Sequence, residues 1–153
     1  MESENAMTTV MRYVNLLSRS QSIYRADKLQ EEQLTPVHHS YVLAICNHPG
    51  LSQEELARHL CINKSNVARQ MAGLEANGYV SRVPDGRDKR QLRIYPTARM
   101  LAVLPAVRAI TEDWNEYLTA EITEEELAVF FATLEKIADR ARRYVVEREP
   151  VIE

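Results

Sequence analysis

A mainly α-helical chain carrying a small β wing of two to three strands is the fold this sequence predicts. Three observations support that expectation. In the run Leu51 to Tyr79, two capped helical segments stand three residues apart. From Val80 to Pro96, two short strand-like runs flank a basic turn. Three longer segments, one before this region and two after it, repeat apolar residues at three- and four-residue spacing. Two short helices followed by a hairpin make a helix-turn-helix with a wing, a device that sets one helix in the major groove of duplex DNA.

The first helix is expected from about Ala6 to Glu32, after a loose start. Val10, Val14, Leu17 and Tyr24 fall near one stripe, widened by Tyr13 and Leu16. Thr35 and Pro36 then supply an N-cap and a first helical residue that needs no N–H. The second helix is predicted to bury Val37, Tyr41, Val42 and Ile45 and to stop at His48-Pro49-Gly50. Ser52 and Glu55 read as a capping box, with Leu51 placed to staple onto Leu56. That helix ends near Leu60. Asn63 caps the next, which turns Val67, Met71 and Leu74 inward and stops at Asn77-Gly78.

Tyr79 to Val83 and Gln91 to Tyr95 read as strands around the turn Pro84 to Arg90, whose Asp85-Gly86 step is a reversal signal. Pro96 forbids a continuing ladder, and Thr97 caps a helix reaching roughly Leu118. Leu101, Leu104, Val107, Thr111, Trp114 and Leu118 are its expected apolar stripe. Such a helix extends about 30 Å. Thr123 and Glu126 form a second capping box. The last helix then carries Leu127, Phe130, Leu134, Ile137, Ala141 and Tyr144 on one face to about Glu147.

The chain has 153 residues, which suits one folded unit, and its 45% apolar content excludes a disordered polymer. Cys46 and Cys61 read as a reduced thiol pair, not a disulfide framework. No basic stretch leads into an apolar run at the start, so no signal peptide is expected. No segment is long and apolar enough to span a bilayer. The expected setting is the cytoplasm, away from membranes. Net charge is −3, yet Leu51 to Arg99 holds nine basic and five acidic residues, against ten and seventeen elsewhere. A basic reader on an acidic frame follows, since phosphates respond to the local patch. The long helices carry more apolar surface than anchoring a wing requires, and a homodimer is expected. Residues 1–34 and 97–153 are read as the dimerisation region, and 35–96 as the DNA-binding domain.

The chain resembles the MarR family of winged helix-turn-helix regulators over nearly its whole length. The resemblance rests on Leu34-Thr35-Pro36, on Leu51-Ser52-Gln53-Glu54-Glu55-Leu56-Ala57, and on Asp85-Gly86-Arg87-Asp88-Lys89-Arg90 leading to Thr97. It implies a triangular homodimer on a pseudo-palindromic double-stranded operator. It also implies repression in the usual case, relieved by a small phenolic, antibiotic-like or oxidant signal. Three positions depart from the family pattern: His39 where an aromatic residue is common, Pro96 in place of leucine, and Met100 at a frequent glycine.

Lys64 stands at the mouth of the recognition helix and is expected on backbone phosphate. Ser65, Asn66 and Arg69 offer a hydroxyl, an amide and a guanidinium to base edges, with Gln70 a weaker candidate rotated sideways. Arg87 is expected at the wing tip, in the minor groove. Lys89 and Arg93 are divided between phosphate contact and solubility. Asp88 beside the backbone repels phosphate, so it is expected to fix Arg90 or another wing arginine by a charge-assisted bond. The resemblance matches Asp88 and Arg90 to a wing-stabilising pair, and leaves Arg90 able to approach phosphate.

The resemblance further implies a crevice lined by the first, second and fifth helices. Tyr13, Tyr24, His39 and Tyr41 are the candidate groups for a small aromatic or phenolic effector. His38, His39, His48 and His59 lack metal-ligand spacing, so no metal or cofactor is expected, and the histidines read as partly exposed, with His39 half buried. No catalytic triad, phosphate loop or cofactor fingerprint appears, so no enzyme is expected. The alternatives are a winged protein-interaction module and a thiol-based redox regulator using Cys46 or Cys61.

Overall fold

The computed structural model describes residues 2–146, with side chains described for 10–144. In chain order the elements are α1 (Glu2–Leu29), α2 (His38–Asn47), β1 (Leu51–Ser52), α3 (Gln53–Leu60), α4 (Lys64–Ala76), β2 (Val80–Pro84), β3 (Leu92–Pro96), α5 (Ala98–Thr119) and α6 (Glu124–Val146). Met1–Trp114 forms one compact unit and Asn115–Glu153 a second. The expected end of the last helix at Glu147 lies outside the described residues.

The first helix is longer at its start than its apolar pattern suggests, since backbone helix begins at Glu2 instead of after a loose lead. A single 3-10 turn, Gln30–Glu32, follows it and closes at Gln33 in the left-handed region. Leu29 and Leu34 are buried, whereas Val10, Tyr13, Val14, Leu16 and Leu17 are exposed.

α2 begins two residues later than Thr35-Pro36 implied. Thr35 supplies no side-chain cap; its carbonyl accepts from the His38 N–H at 2.9 Å, and its own N–H donates to Nδ1 of His38 at 3.1 Å. The later start leaves Val37 outside the helix, at its N-cap. Val37 is left exposed, while His38 and His39 are buried with Tyr41, Val42 and Ile45. The expectation of partly exposed histidines therefore fails for His38 and His39, whereas His48 and His59 are exposed. α2 packs against α3 and β3 and sends side chains to α4 and α5 as well, so little of its circumference meets water.

The wing is a three-stranded antiparallel sheet in the order β1-β3-β2, with Ile94 opposite both Leu51 and Arg82. Gly50 enters it with φ +89 and donates to the Ile94 carbonyl at 2.7 Å. A side chain there would be strained and would crowd the Tyr95 hydroxyl. Pro96 ends β3 opposite Val80, at a position where its missing N–H breaks no further ladder.

The Thr97 hydroxyl donates to the Gly78 carbonyl at 2.7 Å and accepts from the Met100 N–H at 3.3 Å. These bonds tie the start of α5 to the end of α4 and fix its rotation. Met100, Val103, Val107 and Ile110 consequently point inward, and Leu101 is exposed. The expected stripe is thus one position out at its start and meets the real one at Val107. In the second unit, α6 opens on the Thr123/Glu126 box, with reciprocal bonds of 2.9 and 3.3 Å. Phe130, Leu134, Ile137 and Tyr144 lie exposed along it.

Candidate nucleic-acid interface

Two capped helices present the recognition surface. Ser52 accepts the Glu55 N–H at 3.2 Å, and the Glu55 carboxylate accepts the Ser52 N–H at 2.7 Å, which seals the start of α3. Cys61 turns the chain with φ 54, and Asn63 then caps α4 by accepting the Asn66 N–H at 2.8 Å. Val67, Met71 and Leu74 are fully buried. That burial fixes which face of α4 is left outward, and Lys64, Ser65 and Arg69 are exposed on it, with Asn66 half-buried.

Lys64 Nζ sits 2.8 Å from Glu54 Oε1, and this ammonium holds the Glu54 carboxyl below the usual range. Both partners are exposed, so the pair is weak and readily exchanged for phosphate. Ser65 donates to Asn63 Oδ1 at 3.0 Å. Gln70 is turned aside: its Oε1 lies 3.0 Å from His38 Nε2, and its amide donates to Asn66 Oδ1 at 3.3 Å.

The wing loop exposes Arg87, Lys89 and Arg90. Arg93 differs from all three. Its Nε meets Asp85 Oδ2 at 2.5 Å, and its Nη1 meets Glu55 Oε2 at 2.7 Å and the Gly50 carbonyl at 3.3 Å. Its guanidinium clamps the wing root to the start of α3, which removes it from the set of free phosphate contacts. Asp85 also accepts the Arg87 N–H at 2.7 Å; that bond and Arg93 hold its carboxyl below the usual range.

Asp88 does not bind the Arg90 guanidinium in this arrangement. It accepts the Arg90 backbone N–H at 3.0 Å, because a carboxylate two residues away in a tight turn reaches the main chain first. The side-chain ion pair of the wing is Asp85–Arg93–Glu55, and a further pair, Arg82 with Glu75, ties β2 to α4. Sequence reading took Glu55 for a cap alone and overlooked Asp85.

The four effector candidates are not gathered into one site. Tyr13 is exposed on α1, eleven residues and hence about 16 Å of helix before Tyr24. Tyr24 stacks on Trp114 with ring centroids 4.8 Å apart. His39 Nε2 lies 3.1 Å from the Val107 carbonyl and 2.9 Å from Thr111 Oγ1, while its Nδ1 is buried without a hydrogen-bond partner. Tyr24 and His39 thus both meet α5, at Trp114 for the first and at Val107 and Thr111 for the second. Tyr41, two residues after His39 and so on the far side of α2, is fully buried, with its hydroxyl unpartnered.

Burial pushes the Cys46 thiol up, which disfavours the thiolate, and Cys61 is exposed. His48 and His59 meet edge to face with centroids 4.8 Å apart. Among the described residues no three His, Cys, Asp or Glu side chains are placed to hold a metal ion. No helix of the described residues is long and apolar enough to cross a membrane.

α3 packed on α4 beside a three-stranded sheet with a basic loop defines a winged helix-turn-helix, a class of DNA-binding transcription regulators. The MarR family model matches residues 32–91. The HTH-type transcriptional regulator YybA of Bacillus subtilis is 25% identical over 137 residues, covering 90% of this chain and 91% of that one. A MarR protein from Peptoclostridium difficile has a TM-score of 0.89 at 26% identity, covering 92% of each chain. A MarR family regulator from Listeria monocytogenes, complexed with 26mer DNA, shares the fold with a TM-score of 0.83 at 21% identity, over 89% of this chain and 91% of that one. The chain is thus similar to the MarR family of winged helix-turn-helix transcriptional regulators, through the family model over residues 32–91 and through the shared fold beyond them.

Proposed function

We propose that the protein binds a pseudo-palindromic operator in double-stranded DNA as a homodimer and represses transcription there until a small aromatic or phenolic effector arrives. The observation that carries this reading is the outward face of α4: Lys64, Ser65 and Arg69 are exposed at its amino half, while Val67, Met71 and Leu74 lock the opposite face into the core. A helix so held offers its amino end to the groove, where its dipole favours phosphate. Ser65, Asn66 and Arg69 read base edges, Lys64 and Lys89 meet phosphate, and Arg87 enters the minor groove with Arg90 beside it. Gln70 acts from behind them. That a protein of the same fold from Listeria monocytogenes is complexed with 26mer DNA supports DNA as the partner.

Residues 1–34 and 97–153 form the dimerisation region in this reading, supported by the exposed apolar residues of α1 and α6. An effector would lie by Tyr24 and His39 along α5, away from Tyr13 and Tyr41. Selection from a random duplex pool, followed by titration of the winner across salt, tests the function. Six to ten phosphate contacts would lower affinity roughly 10³- to 10⁵-fold between about 50 and 200 mM salt. A protein that enriches no duplex, or binds with no salt dependence, is a protein-interaction module instead.

A further inference from the structure

His38 is buried in α2, and both of its ring nitrogens are engaged. Nδ1 lies 3.1 Å from the backbone nitrogen of Thr35, and Nε2 lies 3.0 Å from Gln70 Oε1 on α4. Gln70 Nε2 is in turn 3.3 Å from Oδ1 of Asn66, one helical turn nearer the amino end of α4.

The direction of all three bonds follows from the first. A backbone N–H only donates, so Nδ1 accepts and carries no proton. The neutral ring is then protonated at Nε2, which donates. Gln70 must meet that donor with its carbonyl oxygen, which turns its NH2 group toward Asn66. Asn66 must meet the NH2 with its own oxygen. An amide's two ends are ordinarily assigned from their surroundings; here one main-chain donor at the far end of the relay fixes both amides. Burial also lowers the His38 pKa, which keeps the ring neutral. A second ring proton would face the Thr35 N–H, donor against donor.

We propose that His38 is a positioning residue for DNA readout: through Gln70 it holds the Asn66 amide with its oxygen inward and its NH2 toward the groove, so that Asn66 selects a base edge that accepts. The inference rests on the placement of Asn66 in the major groove made above. An unconstrained asparagine pairs with adenine by donating to N7 and accepting from N6. With its oxygen engaged by Gln70, Asn66 loses most of the accepting half of that pair. Its NH2 group suits guanine O6 and N7 or thymine O4.

Two variants reverse or release the relay. Gln70→Glu still accepts from His38 but presents a second acceptor to Asn66, which must turn over and show its oxygen to the groove. His38→Leu removes the donor at the head and frees both amides. Selection from a random duplex pool, read base by base, is expected to give guanine or thymine at the Asn66 position for the natural chain. Gln70→Glu should shift that preference about tenfold toward adenine or cytosine, and His38→Leu should flatten it. His38→Gln, whose NH2 can replace the ring donor, should restore the natural profile.

A base profile unchanged in Gln70→Glu and His38→Leu overturns the proposal. Gln70→Glu opens no buried cavity, so it decides the matter even where His38→Leu fails to fold. Nitrogen NMR of the free protein at neutral pH should place the His38 proton on Nε2, and a proton on Nδ1 overturns the relay without DNA. A pool yielding no preferred duplex defeats the placement of α4 in the groove, and the specificity assignment falls with it.

Discussion

His38 and His39 are neighbours in sequence, yet they serve different faces of α2. Successive helical residues point about 100° apart, so His38 reaches Gln70 on α4 while His39 reaches Val107 and Thr111 on α5. Burial, reinforced by the nearby Arg25 charge, lowers the His39 pKa to about 4. The unfolded chain protonates the same ring near 6.5. A lowered folded value means that the unfolded state binds the proton first as pH falls. His39's contribution is therefore complete above about pH 6.5 and lost as pH drops toward 4, with a loss on the order of 2–3 kcal/mol. His38, also lowered by burial, acts in the same direction. Urea unfolding at a series of pH values should show stability falling across this window, with His39→Gln removing most of the slope. An equal slope in the variant would place the titrating group elsewhere. The histidines were misread in sequence because a polar residue carries no local mark of burial. Their surroundings come from elements up to 72 positions away.

At the scale of elements, the caps were the most legible features. Ser52 with Glu55, Asn63, and Thr123 with Glu126 all make the bonds their spacing implies, because a cap depends on residues within one turn of each other. Rotation about a helix axis was less legible. Either the run from Met100 or the run from Leu101 makes an acceptable apolar face on α5, and only the contact between Thr97 and the end of α4 chooses between them. The wing shows the same limit: its basic tip is local, but the Arg93 clamp joins Glu55 and Asp85 across 38 and 8 positions. The cap of α4 gives a test that separates stability from binding. Asn63→Ala should cost about 1 kcal/mol of stability and weaken every duplex, since Lys64 to Asn66 follow directly from it. Asn63→Asp keeps the acceptor and favours the positive end of the helix, so stability should hold. Its carboxylate beside phosphate should nonetheless reduce affinity, most strongly at low salt. Urea unfolding paired with duplex titration at two salt concentrations distinguishes these outcomes. Wild-type affinity in Asn63→Asp would move the amino end of α4 away from the DNA backbone.

The whole molecule leaves apolar surface that one chain does not cover. On α6, Phe130 is 51% exposed and Leu134 39%, and on α1 Leu16 is 58% exposed, apolar side chains of a kind that mark an interaction surface. A second copy of the chain is the occupant that also suits the proposed operator, because a two-fold dimer presents two recognition helices to two half-sites. Phe130→Glu combined with Leu134→Glu should yield a monomer at micromolar concentration by sedimentation equilibrium. Neither side chain belongs to the buried core, so the far-ultraviolet helix signal of the double variant should match that of the natural chain. Affinity for a full operator should drop roughly 100-fold or more, toward that for an isolated half-site, since the second contact is no longer intramolecular. The natural chain should lose affinity on the same scale when one half-site is scrambled, whereas the double variant should be indifferent to that change. A natural chain that sediments as a monomer, or a double variant that still distinguishes one half-site from two, would show that α6 does not join the two copies.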